Sequence, residues 1–161
     1  MSVPSSEELR AELLAVIAAG AGAALADDAF DRLARAVFAH QFACNRPYRL
    51  FCERRGGSPE TVAHWAQIPA VPTDAFKAAA LVCGDAAEIE AAAQAGDVEG
   101  RTSAVFLTSG TTMGAERRGM HYVPDLALYD AALRAGFAAH LLPDGAPLPK
   151  SATTEIGRAH V

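Results

Sequence analysis

The sequence predicts an α/β fold with a helical N-terminal region, and three observations carry that prediction. Apolar residues recur at helical spacing through the first sixty-odd positions. Two prolines, Pro69 and Pro72, then impose an extended path. After them comes the order strand, glycine-rich loop, strand, helix. A helical region over residues 1–66 followed by an α/β domain over 67–150 is the resulting division.

Taken in order, Ser5 with Glu8 three positions on is a capping-box pattern, and Leu9, Leu13, Val16 and Ile17 follow on one helical face. Gly20-Ala21-Gly22 stops that helix. Asp27 or Asp28 is expected to cap a second, with Phe30, Leu33, Val37, Phe38 and Phe42 as its apolar stripe. Asn45 caps a third, with Pro47 in its first turn, and Gly56-Gly57 ends it. Ser58-Pro59-Glu60 opens a short helix containing His64 and Trp65. Ala80-Leu81-Val82-Cys83 reads as a strand, and Asp85 to Ala95 as a surface helix. Ala104 to Leu107 is a short buried strand entering the loop, and Met120 to Val123 a strand leaving it. Pro124-Asp125 starts a helix that carries Leu126, Tyr129, Leu133 and Phe137.

Hydrophobic residues make up 51% of the chain and charged ones 20%, a composition that folds and does not stay disordered. The net charge of −5 argues against nucleic acid or an anionic membrane as the main partner. The longest apolar stretches are too short to span a bilayer, and the acidic start, Glu7-Glu8, lacks the positive charge of a signal peptide. The three cysteines, Cys44, Cys52 and Cys83, show no CxxC spacing. Such scattered thiols suit a reducing cytoplasm better than a disulfide framework, and buried, inert thiols are expected.

The densest chemistry lies in Thr108-Ser109-Gly110-Thr111-Thr112-Met113-Gly114, where four hydroxyl side chains and two glycines share seven positions. Glycines let backbone N–H groups turn toward one point, and hydroxyls add donors, which is what an anion such as a polyphosphate needs. No Gly-Lys-Ser/Thr follows, so this is not a Walker A loop. Arg117 and Arg118 stand at its exit and can supply positive charge, with Glu116 beside them able to pair with one.

The segment from Phe106 to Gly119 resembles the phosphate-binding loop of acyl-adenylating enzymes. The upstream run Ile68-Pro69-Ala70-Val71-Pro72-Thr73-Asp74-Ala75-Phe76-Lys77 narrows the resemblance to acyl-protein synthetases of the LuxE type, with phenylacetate–CoA ligases as more distant relatives. The likeness covers roughly residues 40 to 145. Two positions depart from the family's pattern: Met113 is inserted before Gly114, and an arginine replaces the usual lysine. The resemblance implies the first part of an acyl-adenylating N-terminal domain, a ligase that activates a carboxylic acid, such as a fatty acid, with ATP and Mg²⁺. The acyl group would pass to a protein cysteine, with an acyl-transferring or reductase protein as partner, or, in the alternative, to coenzyme A. A third reading is a non-catalytic nucleotide-binding remnant. On the resemblance, the ATP phosphates fall to Thr108, Ser109, Gly110, Thr111, Thr112, Gly114, Arg117 and Arg118. No catalytic residue and no metal ligand is assigned.

The other candidates read as structural. His121 is expected to be a partly buried, satisfied histidine, and His40 and His64 have no partner at metal-ligand spacing. Lys77 is read as structural and Trp65 as core or a packing anchor. None of the three cysteines matches the family's acyl-carrying position near the C-terminus. Back-translation of the last seven residues, Glu155 to Val161, resembles read-through of a sequencing-library adapter. Residues 151–161 are therefore expected to be non-native, and the chain to be an inactive N-terminal fragment of a longer enzyme.

Overall fold

The computed structural model describes residues 5–20, 22–94, 103–108 and 118–141. The expectations for 151–161 and for most of the glycine loop lie outside them. Among the described residues, six α-helices and two strands follow in the order α1 Ser6–Ala18, α2 Asp27–Cys44, α3 Arg46–Arg54, α4 Ala75–Ala78, α5 Ala86–Gln94, β1 Ala104–Leu107, β2 Met120–Val123 and α6 Leu126–Leu141. A 3-10 turn, Trp65–Gln67, lies between α3 and α4. The described chain is thus mostly helical around one small antiparallel sheet, within the α/β class.

Helix starts follow local chemistry. The Glu8 N–H donates to Ser5 Oγ at 3.3 Å and the Ser5 N–H returns to Glu8 Oε2 at 2.8 Å, the expected capping box. Asn45 Oδ1 accepts from the Tyr48 N–H at 3.1 Å, with Pro47 in the first turn where its missing N–H costs nothing. The start of α2 departs from expectation. Ala26 is the N-cap and makes no side-chain bond, while Asp27 and Asp28 lie inside the first turn. There their charge favours the positive end of the helix dipole without a cap.

The main core forms between α2, α3 and the chain beyond them. Phe38, Tyr48, Cys52 and Val62 are buried together, with Phe42, Phe51, Ile68 and Val71 packed against them. Ile68 and Val71 belong to the proline-rich run, and both pack against this core. Pro69 is held twice. Its carbonyl accepts from the Tyr48 hydroxyl at 3.0 Å, and its ring lies 2.7 Å from where a Cβ on Gly57 would stand. Any larger residue at 57 would displace the strap.

β1 and β2 pair antiparallel with Ala104 opposite Val123, Val105 opposite Tyr122, Phe106 opposite His121 and Leu107 opposite Met120. Opposed residues share a face. The Phe106–His121 face meets α4 and α6: Phe76 stacks on His121 with centroids 4.3 Å apart, and Phe106 packs on Tyr129 at 5.1 Å. On the other face the Tyr122 hydroxyl donates to Glu90 Oε1 of α5 at 2.7 Å. β1 is half-buried and not buried, since Leu107 and Met120 at the loop end are exposed.

Two further expectations are corrected, and of the two readings of Trp65 the packing anchor holds. Ala80 to Cys83 is not a strand, because no neighbouring strand among the described residues offers it a ladder; its apolar character serves burial of Val82. Ser58-Pro59-Glu60 opens a turn, and His64 caps the 3-10 turn, its Nδ1 accepting from the Ala66 N–H at 3.2 Å. Trp65 is not core. It is 45% exposed and anchors edge-on against Phe30 of α2 at 5.4 Å, while its N–H donates to Asp31 Oδ1 at 2.6 Å.

Candidate functional site: the neck of the glycine loop

The hairpin delivers both ends of the glycine loop to one point. The Thr108 N–H donates to the Gly119 carbonyl at 3.0 Å, and the Gly119 N–H donates to Thr108 Oγ1 at 2.8 Å. These two bonds continue the β1–β2 ladder by one rung and close the loop at its neck. Thr108 accepts with its hydroxyl and so keeps the O–H proton free to donate elsewhere. Gly119 is buried, and a Cβ there would stand 3.3 Å from Thr108 Cγ2, 3.4 Å from Lys77 Cγ and 3.5 Å from the Phe76 carbonyl carbon. In this three-way approach, a side chain at 119 would have to press Thr108 Cγ2 aside by a few tenths of an ångström.

That approach brings together the two stretches singled out in the sequence. The strap from Ile68 is fixed to the helical core at Pro69, and its end, Phe76-Lys77 in α4, lies against the neck. Phe76 secures the fit by stacking on His121, the residue two beyond Gly119. Lys77 lays its aliphatic stem along Gly119 and leaves its ammonium exposed, 3.8 Å from Asp74 Oδ1. Sequence reasoning treated Lys77 as merely structural. The structure lays its stem against the neck, so that Lys77 joins Arg118 as a cation carried by the segments that meet there.

Of the predicted phosphate ligands, Thr108 and Arg118 are described: Thr108 forms the neck and Arg118, one residue before Gly119, is exposed. Ser109, Gly110, Thr111, Thr112, Gly114 and Arg117 lie outside the described residues. His121 is half-buried and engaged by Phe76, as expected for a structural histidine.

The cysteines depart from expectation. Cys44, the last residue of α2, is joined to Cys83 by a disulfide, with Cα atoms 4.8 Å apart and a sequence separation of 39. Cys52 alone stays a free thiol; it is fully buried, and burial raises its pKa, which keeps it unreactive as predicted. His40 is not isolated either. Its Nε2 lies 3.5 Å from Cys44 Sγ, and both group with Cys83. The signal was present in the sequence: His40 and Cys44 are four apart on one helix, a spacing that puts them on one face.

A family model described as "Acyl-protein synthetase, LuxE" matches residues 10–131. The chain belongs to this family. The match to the LuxE acyl-protein synthetases starts well before residue 40, so α2 and α3 fall wholly within the family unit and α1 all but its first turn. That extent agrees with the packing, in which α1 lies on α6 and the helical core holds the strap. Searches of curated proteins and of solved structures give no match. Among the described residues no helix is long and apolar enough to cross a membrane.

Proposed function

We propose that this chain carries the phosphate-handling part of a ligase that activates a carboxylic acid with MgATP. The carboxylate attacks the α-phosphate, an acyl-adenylate forms, and pyrophosphate leaves; the acyl group then passes to a cysteine thiol of a protein. Membership of the acyl-protein synthetase family supports the ligase class. The observation that carries the phosphate role is the neck, where Thr108 and Gly119 close a loop rich in hydroxyls and glycines against Phe76-Lys77.

In this reading the protein's task is electrostatic. Hydroxyls and backbone N–H groups of the loop hold the β- and γ-phosphates, and Lys77 with Arg117 and Arg118 offsets the charge that develops on the leaving pyrophosphate. The side chains at the neck are donors and cations, which suits phosphate oxygens; Mg²⁺ enters with the nucleotide as part of the substrate. A rigid neck matters because such donors act only if held in place before the reaction.

Pyrophosphate binding by this chain, followed by calorimetry, tests the reading directly. Replacing Arg117 and Arg118 together by alanine is expected to weaken it severalfold or more. In a preparation that supports carboxylate-dependent ATP–pyrophosphate exchange, the same change is expected to slow exchange on the order of a hundredfold. Thioester formation from supplied acyl-adenylate should be nearly unaffected. Equal losses in both half-reactions, or unchanged pyrophosphate affinity, would show that the loop shapes the fold and does not handle phosphate.

A further inference from the structure

The end of α2 gathers three side chains of one chemical kind, away from the loop. His40 and Cys44 lie one helical turn apart, Cys83 comes from the segment before α5, and their ligand atoms all lie within 4.8 Å of one another. We propose that, with the Cys44–Cys83 bond reduced, His40, Cys44 and Cys83 form a binding site for a thiophilic divalent cation of the zinc class.

The donor set supports this. Two thiolates and an imidazole make a three-ligand tetrahedral site whose fourth position is open to water. Softness of the thiolates selects zinc-class ions over Mg²⁺ or Ca²⁺. The geometry supports it as well. With metal–sulfur and metal–nitrogen bonds of about 2.3 and 2.0 Å, a tetrahedral ion spaces its S and N ligands about 3.5 Å apart. His40 Nε2 and Cys44 Sγ already stand 3.5 Å apart. What remains is for the two sulfurs to part to about 3.8 Å and for Cys83 Sγ to stand as close to the imidazole nitrogen as Cys44 Sγ does, movements within the 4.8 Å span of the cluster that changes of side-chain rotamer supply. His40 and Cys83 are half-buried and Cys44 is exposed, so solvent can reach the open position.

The two states exclude each other. A dithiol reductant transfers two electrons and two protons to the disulfide and leaves as its own disulfide. The cation then displaces the two thiol protons to solvent, and the chain holds it as a dithiolate. Oxidation reverses this and expels the ion. Either state ties α2 to the segment that leads into α5.

The test uses the whole chain, reduced without oxygen by a phosphine that leaves as its oxide. Cobalt(II) is then added as a visible stand-in for zinc. One equivalent is expected to bind with thiolate-to-metal charge-transfer absorption, and one equivalent of Zn²⁺ to abolish the signal. The unreduced chain should give none. Cys44→Ser and Cys83→Ser should each lose the absorption, His40→Gln should weaken binding on the order of tenfold or more, and Cys52→Ser should leave it unchanged. Bound Zn²⁺ should also shield Cys44 and Cys83 of the unaltered reduced chain from alkylation, a readout that needs no variant to fold. Absence of the charge-transfer band in the reduced chain, or its persistence at equal affinity in Cys44→Ser, Cys83→Ser or the unreduced chain, would overturn the proposal.

Discussion

Gly119 sits in a three-way contact that leaves little room for a side chain. Its N–H and C=O both bond Thr108, while a Cβ would stand 3.3 Å from Thr108 Cγ2 and in contact with Lys77 and Phe76. Gly119→Ala should push Lys77 and Thr108 apart by a few tenths of an ångström and loosen the neck. The expected cost is about 1–3 kcal/mol of overpacking, measured by denaturant unfolding, together with weaker pyrophosphate binding. Gly136 in α6 has nothing within reach of an added Cβ, so Gly136→Ala should be neutral or slightly stabilising and serves as the control. The neck was half legible beforehand. Glycine and threonine at the ends of an apolar pair of strands announce a closed loop, yet nothing in the spelling of Phe76-Lys77 says which surface it will meet.

At the scale of elements, α1 and α6 are joined by Arg10 and Asp125. Arg10 Nε donates to Asp125 Oδ2, while Asp125 Oδ1 accepts from the Ala127 N–H at 2.8 Å at the start of α6. The bond from Arg10, then that from Ala127, holds the Asp125 carboxyl below its ordinary pKa against the opposing effect of burial. A depressed acid stabilises the fold above its unfolded pKa, near 4, and this contribution is lost as pH falls through the lower folded value. Stability should therefore drop below about pH 4 by an amount that Asp125→Asn removes, seen as convergence of the two pH–stability curves in acid. With the carboxylate about a third exposed, the effect should stay within about 1 kcal/mol and shrink with salt. The caps of α1 and α3 were readable because cap and partner lie three residues apart. The Arg10–Asp125 bond spans 115 positions and carries no local signal. The same holds for Ala80 to Cys83, where an apolar run looks like a strand until the absence of a neighbouring ladder is seen.

For the whole molecule, the Cys44–Cys83 bond closes a ring around α3, the 3-10 turn, the strap and α4. Closing a loop of this length removes about 4 kcal/mol of chain entropy from the unfolded state by the simplest estimate, and measured gains are commonly less. Reduction without metal should lower stability by about 2–4 kcal/mol, checked by unfolding with and without reductant. Native protein before reduction should resist thiol reagents, because its single free thiol, Cys52, is buried. The strap runs through this ring from Tyr48 and Gly57 at one end to Gly119 at the other. If the loop binds an anion as proposed, the free energy gained there would be shared, through the strap, with α3. Pyrophosphate should slow amide hydrogen exchange in α3 as well as in the hairpin, and Tyr48→Phe, which cuts the strap's hydrogen bond to the core, should remove the effect in α3 while sparing the hairpin.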